Sequence, residues 1–184
     1  MSARAWTIRA PLLVLSLGVL SPAPTLAQEA VPPGYRAVAA EYGLPDRLLY
    51  AVALTESGRR IETLGSTRPW PWTLNVGGQG YFYPTREEAL AALTGFLAEG
   101  RESVDIGLMQ VNWRHHRHRL GSPEAALEPY RNLRVAAAIL SECSANRGDW
   151  WAGVGCYHAP ADAERAARYR RRVAAHLRRL EPAG

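Results

Sequence analysis

The chain has 184 residues, 22 of them basic against 17 acidic, and 47% are hydrophobic. That length and apolar share suit one domain around a single core and exclude a chain too polar to bury one. Every Lys-or-Arg position is arginine and the excess gathers in residues 161–184, which leaves the rest near neutral and argues against a nucleic-acid-binding surface.

Taken in chain order, Arg4 and Arg9 lead into the apolar run "PLLVLSLGVL" at 11–20, and small Thr25 and Ala27 flank a cut after Ala27. The pattern predicts a cleavable secretory leader over residues 1–27, because the run is too short to span a bilayer. The mature domain is then 28–184, with no transmembrane span. Cleavage removes two of the 22 basic residues and none of the 17 acidic ones, so the formal excess falls from five to three. Cys143 and Cys156 are the two cysteines of an exported chain, where thiols oxidise, and a disulfide is expected. Closing a loop of that size stabilises by about 3 kcal/mol in the chain-entropy model. Two buried free thiols are the alternative.

"PPGYRAVAAEYG" (32–43) predicts a short helix closed by Gly43. "LPDRLLYAVALTESG" places Pro45 at a first helical turn and Gly58 at the stop, with so little polar face that the helix must lie in the core. Residues 61–84 mix proline, glycine and aromatics with short alternation, which predicts a strand or hairpin excursion with a flexible tip at Gly77–Gly80. "PTREEALAALTGFLAEG" returns to helix, with Thr85 and Glu88 as a capping box. "DIGLMQVNW" (105–113) is expected to be a loop entering a short apolar turn, and "RHHRHR" a solvated loop. "SPEAALEP" (122–129) and "NLRVAAAILSECSANRG" (132–148) predict helices, and "DWWAGVGCYHAP" (149–160) a further turn or two ended by Pro160. In "DAERAARYRRRVAAHLRRL" (162–180), Ala166, Tyr169, Val173, Leu177 and Leu180 recur at three and four, a stripe that docks on the core and leaves the arginines outside.

Glu56 stands out chemically. Leu49, Val52, Ala53 and Glu56 share one helical face, so the carboxyl emerges from apolar surroundings. Burial disfavours its charged form and raises its pKa, which suits a general acid near neutral pH. A glutamate bent out to water is the alternative reading.

"TESG" (55–58), "DIGLMQVN" (105–112) and "GCYHAP" (155–160) occur in that order. Together they resemble the lytic transglycosylases of the soluble-transglycosylase, lysozyme-like superfamily. The resemblance covers about residues 35 to 160 and implies a mainly helical lysozyme-like domain with a small β or loop excursion between the first two motifs. It aligns Glu56 with the catalytic acid, Ser57 with the serine that follows, Gly107, Leu108, Met109 and Gln110 with the second motif, and Tyr157 with the motif tyrosine. "NLRVAAAIL", headed by Asn132, resembles the stretch that precedes that tyrosine. His158 departs from the pattern, since an asparagine commonly stands there. The insertion "RPWPWTLNVGGQGYFYPTREEAL" and the "DIGLMQVNWRHH" form look most like small specialised enzymes of conjugation, type IV secretion and integrating conjugative elements. The implied location is the periplasm and the implied substrate peptidoglycan.

The resemblance further implies one carboxylate rather than the two of hydrolysing glycosidases, because the muramoyl C6 hydroxyl closes a 1,6-anhydro ring and no water is activated. It calls for no cofactor. Gln110 and Asn112 offer amides to sugar groups, or else order the loop; Met109 offers an apolar subsite floor; Tyr157 hydrogen-bonds Glu56 or substrate, or else is a core residue. Trp70, Trp72, Tyr81 and Tyr83 are candidates for stacking on sugar rings or for a satellite core under the excursion. Asp105 is either a second carboxylate, which restores hydrolysis, or a residue ordering its loop through backbone hydrogen bonds. "HHRH" at 115–118 lacks the His-Glu-x-x-His arrangement, and no metal is expected. The basic last helix is expected to dock on the core rather than on anionic lipid or wall polymer. A hydrolysing muramidase and a wall-binding assembly factor remain the rival functions.

Overall fold

The computed structural model describes residues 30–180, so the leader predicted over 1–27 lies outside the described residues. Helix α1 (Pro33–Glu41) begins with proline at its first turn and ends before Gly43, whose positive φ turns the chain into the next helix. Helix α2 (Asp46–Ser57) is the centre of the molecule: every residue from Leu48 to Leu54 is buried, in keeping with its nearly continuous apolar sequence. Pro45 sits just outside, at the N-cap.

The excursion is built from two sheets. Strands β1 (Gly58–Ile61) and β2 (Ser66–Pro69) form an antiparallel pair directly after α2. Strands β3 (Thr73–Val76) and β4 (Gln79–Phe82) form a hairpin closed by Gly77 and Gly78, whose φ angles of 63° and 87° suit a two-residue turn. The tip predicted to be flexible is thus a tight turn, with Gly78 N donating to Asn75 Oδ1. Helix α3 (Arg86–Ala98) follows; Thr85 Oγ1 accepts from Glu88 N at 3.2 Å, while the Glu88 carboxylate takes the Thr85 hydroxyl at 3.4 Å.

The segment expected to be a loop at 105–113 instead supplies β5 (Val104–Ile106) and β6 (Val111–Asn112), which complete a sheet of order β4-β3-β5-β6. Its buried face carries Leu74, Val76, Val104, Ile106 and Val111, so pairing with β3 buries apolar side chains that a loop would expose. "RHHRHR" is also not a loop. It is the body of α4 (Trp113–Leu120), which Asn112 caps by accepting from His115 N. Trp113 and Leu120 are buried, two helical turns apart, and they anchor a helix whose outer face is arginine and histidine. Arg117 and Arg119 pair with Glu102 and Glu142 at 2.9 and 2.8 Å.

Helix α5 (Pro123–Ala126) leads to α6 (Pro129–Arg147), which starts earlier than the predicted 132 because Glu128 caps it, accepting from Tyr130 N and Arg131 N. Helix α7 (Trp150–His158), capped by Asp149, packs on α6 and is joined to it by the Cys143–Cys156 disulfide across a Cα separation of 5.8 Å. Helix α8 (Ala163–Leu180) lays its stripe of Ala166, Tyr169, Val173 and Leu180 against α2 and α7, with Leu177 partly buried. The last helix therefore returns to the centre of the fold, beside the inner end of α2.

Candidate active site

Glu56 occupies the last turn of α2. Leu49, Val52 and Ala53 on its approach are wholly buried, and the carboxyl is left half-buried. Burial raises its pKa to about 7 against the pull of a hydrogen bond from Tyr169, with the Asp105 charge pushing it further up and Arg172 pulling it down. The Tyr169 hydroxyl donates to Glu56 Oε1 at 2.6 Å across 113 residues of sequence. In the sequence Tyr169 is one member of the core stripe and shows no sign of this role. The available signal is that it is the one hydroxyl in that stripe, and a buried tyrosine hydroxyl requires a partner.

The segment Gly107–Gln110 is the tight connection between β5 and β6, and it serves as scaffold. Gly107 has φ 79°, and a Cβ there would come within 2.8 Å of the Asn132 amide. Asn132, 1% exposed, holds the turn from α6: its Nδ2 donates to Ile106 O at 2.8 Å and Ala126 O at 3.2 Å, and its Oδ1 accepts from Met109 N at 3.0 Å. Ser57, beside the acid, donates to Leu108 O at 2.7 Å and so ties the end of α2 to the same turn.

Several expected substrate contacts are otherwise engaged. Met109 is wholly buried and Leu108 nearly so, which makes them core rather than a subsite floor. Gln110 adopts φ 48°, and its amide nitrogen donates to Gly107 O at 2.9 Å and Thr73 O at 3.2 Å. Asn112 caps α4 and donates from Nδ2 to Asp105 Oδ1 at 2.8 Å. The Tyr157 hydroxyl donates to Met109 O at 2.7 Å rather than to Glu56, although the Glu56 charge is near enough to push the phenol pKa further up. Gln110 and Tyr157 thus spend their donors on backbone carbonyls in and beside the turn, and Asn112 spends its polar groups on a helix cap and the Asp105 carboxylate.

Asp105 lies opposite Asn75 and Asn112 on the polar face of the sheet. Its hydrogen bond is to the Asn112 side chain rather than to the backbone groups expected from the sequence, and burial raises its pKa. The four excursion aromatics separate. Tyr81 stacks on Tyr83 at 6.4 Å and tilts against Phe96 at 5.8 Å, and with Trp72 both tyrosines pack on the core. Trp70 meets Trp72 edge-on at 5.3 Å, donates to Tyr83 O, and carries the Arg59 guanidinium over its ring at 5.1 Å. Phe82, not singled out in the sequence, is 44% exposed on the other side of Arg59.

His158, at the end of α7, stacks on Tyr169 with ring centroids 4.3 Å apart and planes 4° from parallel. The two rings line a cavity of about 280 Å³ together with Arg165, Arg168 and Arg172. Among the described residues no helix is long and apolar enough to cross a membrane.

The mainly helical fold with a small antiparallel sheet is consistent with a lysozyme-like domain. A family model described as "Transglycosylase SLT domain" matches residues 35–176, a span that includes Glu56, the Gly107–Gln110 turn, Tyr157 and Tyr169. No curated protein and no solved structure matches the chain. The match over most of its length makes this protein a member of the transglycosylase SLT domain family, whose members are lytic transglycosylases acting on peptidoglycan.

Proposed function

We propose that Glu56 is the single acid and base of this lytic transglycosylase. The observation that carries the reading is a half-buried carboxyl with a pKa near 7, gripped on one oxygen by Tyr169 at 2.6 Å. At neutral pH such a group is poised to give a proton and to take one back. As a carboxylic acid it protonates O4 of the N-acetylglucosamine as the bond to muramoyl C1 breaks. As a carboxylate it then receives the proton of the muramoyl C6 hydroxyl, whose oxygen bonds to C1 and closes the 1,6-anhydro ring. The attack is intramolecular, so effective molarity replaces a bound water.

Ser57, Gly107, Leu108, Met109, Gln110 and Tyr157 support the site by fixing the turn beside the acid, while half-buried Trp70 with exposed Arg59 and Phe82 offers an aromatic surface to the glycan. Mass spectrometry of digested glycan strands tests the chemistry: anhydromuramoyl ends are expected. Reducing muramic acid ends would instead favour a muramidase using Asp105, whose charge acts on Glu56.

The same reading extends to the setting. The leader pattern in 1–27 supports export to the periplasm, and the insertion that builds β2 to β4 supports local wall opening for a conjugation or type IV secretion apparatus. Complementation of DNA transfer by wild type and not by Glu56→Gln is the expected result; equal complementation would remove catalysis from that task.

A further inference from the structure

Arg165, Arg168 and Arg172 fall three and four residues apart on α8, and with His158 from α7 they surround the Tyr169 ring in one cavity of about 280 Å³. Tyr169 is shared: its ring walls this pocket while its hydroxyl holds Glu56. The pocket and the acid are therefore linked through Tyr169, itself wholly buried. The Arg172 guanidinium packs over that ring at 5.4 Å, and His158 stacks on it at 4.3 Å. Arg168 pairs with Glu164 at 3.2 Å, a contact whose carboxylate is 88% exposed and easily displaced. Among the described residues no carboxylate lies within ion-pair distance of Arg165 or Arg172.

Three cations in one concavity, of which only Arg168 is ion-paired and Arg172 also faces the Glu56 charge, favour an anion. Planar guanidinium groups match a carboxylate in particular. We infer that this pocket is a subsite for the carboxylates of the acidic peptide carried by the muramic acid next to the scissile bond. The inference rests on the reading that the substrate is peptidoglycan. Arg165, Arg168 and Arg172 are exposed, as are Arg171, Arg178 and Arg179, and what favours the peptide over a membrane surface is that the pocket shares Tyr169 with the acid.

The test compares kcat/KM for anhydro-end formation on glycan strands bearing their peptides with that on strands stripped by an amidase. The wild type is expected to prefer peptide-bearing strands by about tenfold, and Arg165→Gln/Arg168→Gln to bring that ratio within about twofold of one. Arg165→Lys/Arg168→Lys should retain part of it. An unchanged ratio in the glutamine variant, including an equal fall on both substrates, overturns the subsite.

Calorimetry in the Glu56→Gln background separates this from catalysis. A peptide-bearing disaccharide is expected to bind about tenfold more tightly than the same compound with its carboxylates amidated; equal binding overturns the subsite. A wild type that forms no anhydro ends on either strand defeats the proposed activity alone, and the calorimetric comparison still decides the pocket. Binding to anionic phospholipid vesicles that Arg165→Gln/Arg168→Gln abolishes, with peptide preference intact, would overturn it in favour of a membrane.

Discussion

The Tyr169 hydroxyl and Glu56 Oε1 are 2.6 Å apart, a bond between the last helix and the end of the central one. It favours the carboxylate and so opposes the burial that raises the Glu56 pKa. In Tyr169→Phe that restraint is gone, and the Glu56-controlled limb of the pH–rate profile should move to higher pH. The carboxyl also loses its fixed rotamer, and a fall in kcat of about 10- to 100-fold is expected. A profile with an unmoved limb would show that the hydroxyl does not act on the acid.

Asp105 pulls the other way. Its negative charge helps keep the proton on Glu56, so Asp105→Asn should move the same limb to lower pH. The products should remain anhydromuramoyl ends. Reducing ends present in the wild type and absent in the variant would mean that Asp105 activates water.

Glu56→Gln should abolish lysis and alter stability in a pH-dependent way. The folded pKa of about 7 lies above the ordinary value of 4.5, so between those values the folded state holds more protons than the unfolded one. Wild-type stability accordingly falls as pH rises through that window. The glutamine variant lacks this loss and should gain on the wild type by about 1 to 3 kcal/mol between pH 4 and 8. Thermal unfolding of the two proteins across that range measures the difference.

Asn132→Ala should be the more damaging change to the fold, because it leaves Met109 N, Ile106 O and Ala126 O without the partner each now has. A loss of about 2 to 4 kcal/mol is expected, and a lowered denaturation midpoint reports it. Asn112→Ala removes a helix cap and the side-chain hydrogen bonds to Asp105 and Ser103 at a partly exposed site, and should cost about 1 kcal/mol.

Much of the site's foundation is local and therefore readable along the chain. The apolar face of Leu49, Val52 and Ala53 under Glu56, the Thr85 cap, and the stripe on α8 all follow from helical spacing. Short segments are where that reading fails. Val104–Ile106 pairs with β3 only because the fold brings them together, and "RHHRHR" is helical because Asn112 caps it and Trp113 and Leu120 find a core. Polar side chains fail in the same way. Gln110, Asn112 and Tyr157 look like groups that reach for a sugar until the turn's own carbonyls and the Asp105 carboxylate claim their donors.

By itself the sequence determined the helices other than α4, the face that the long ones bury, and that one glutamate ends the helix with the least polar face in the core. Those properties depend on neighbours within a few residues. Only the tertiary structure decided that Tyr169 holds that glutamate, that Asn132 and Ser57 hold the turn beside it, and that His158 and three arginines gather around the far side of the same tyrosine ring. Each of these is a contact between elements far apart in the chain, and periodicity specifies which side of a helix is buried but not what it will meet there.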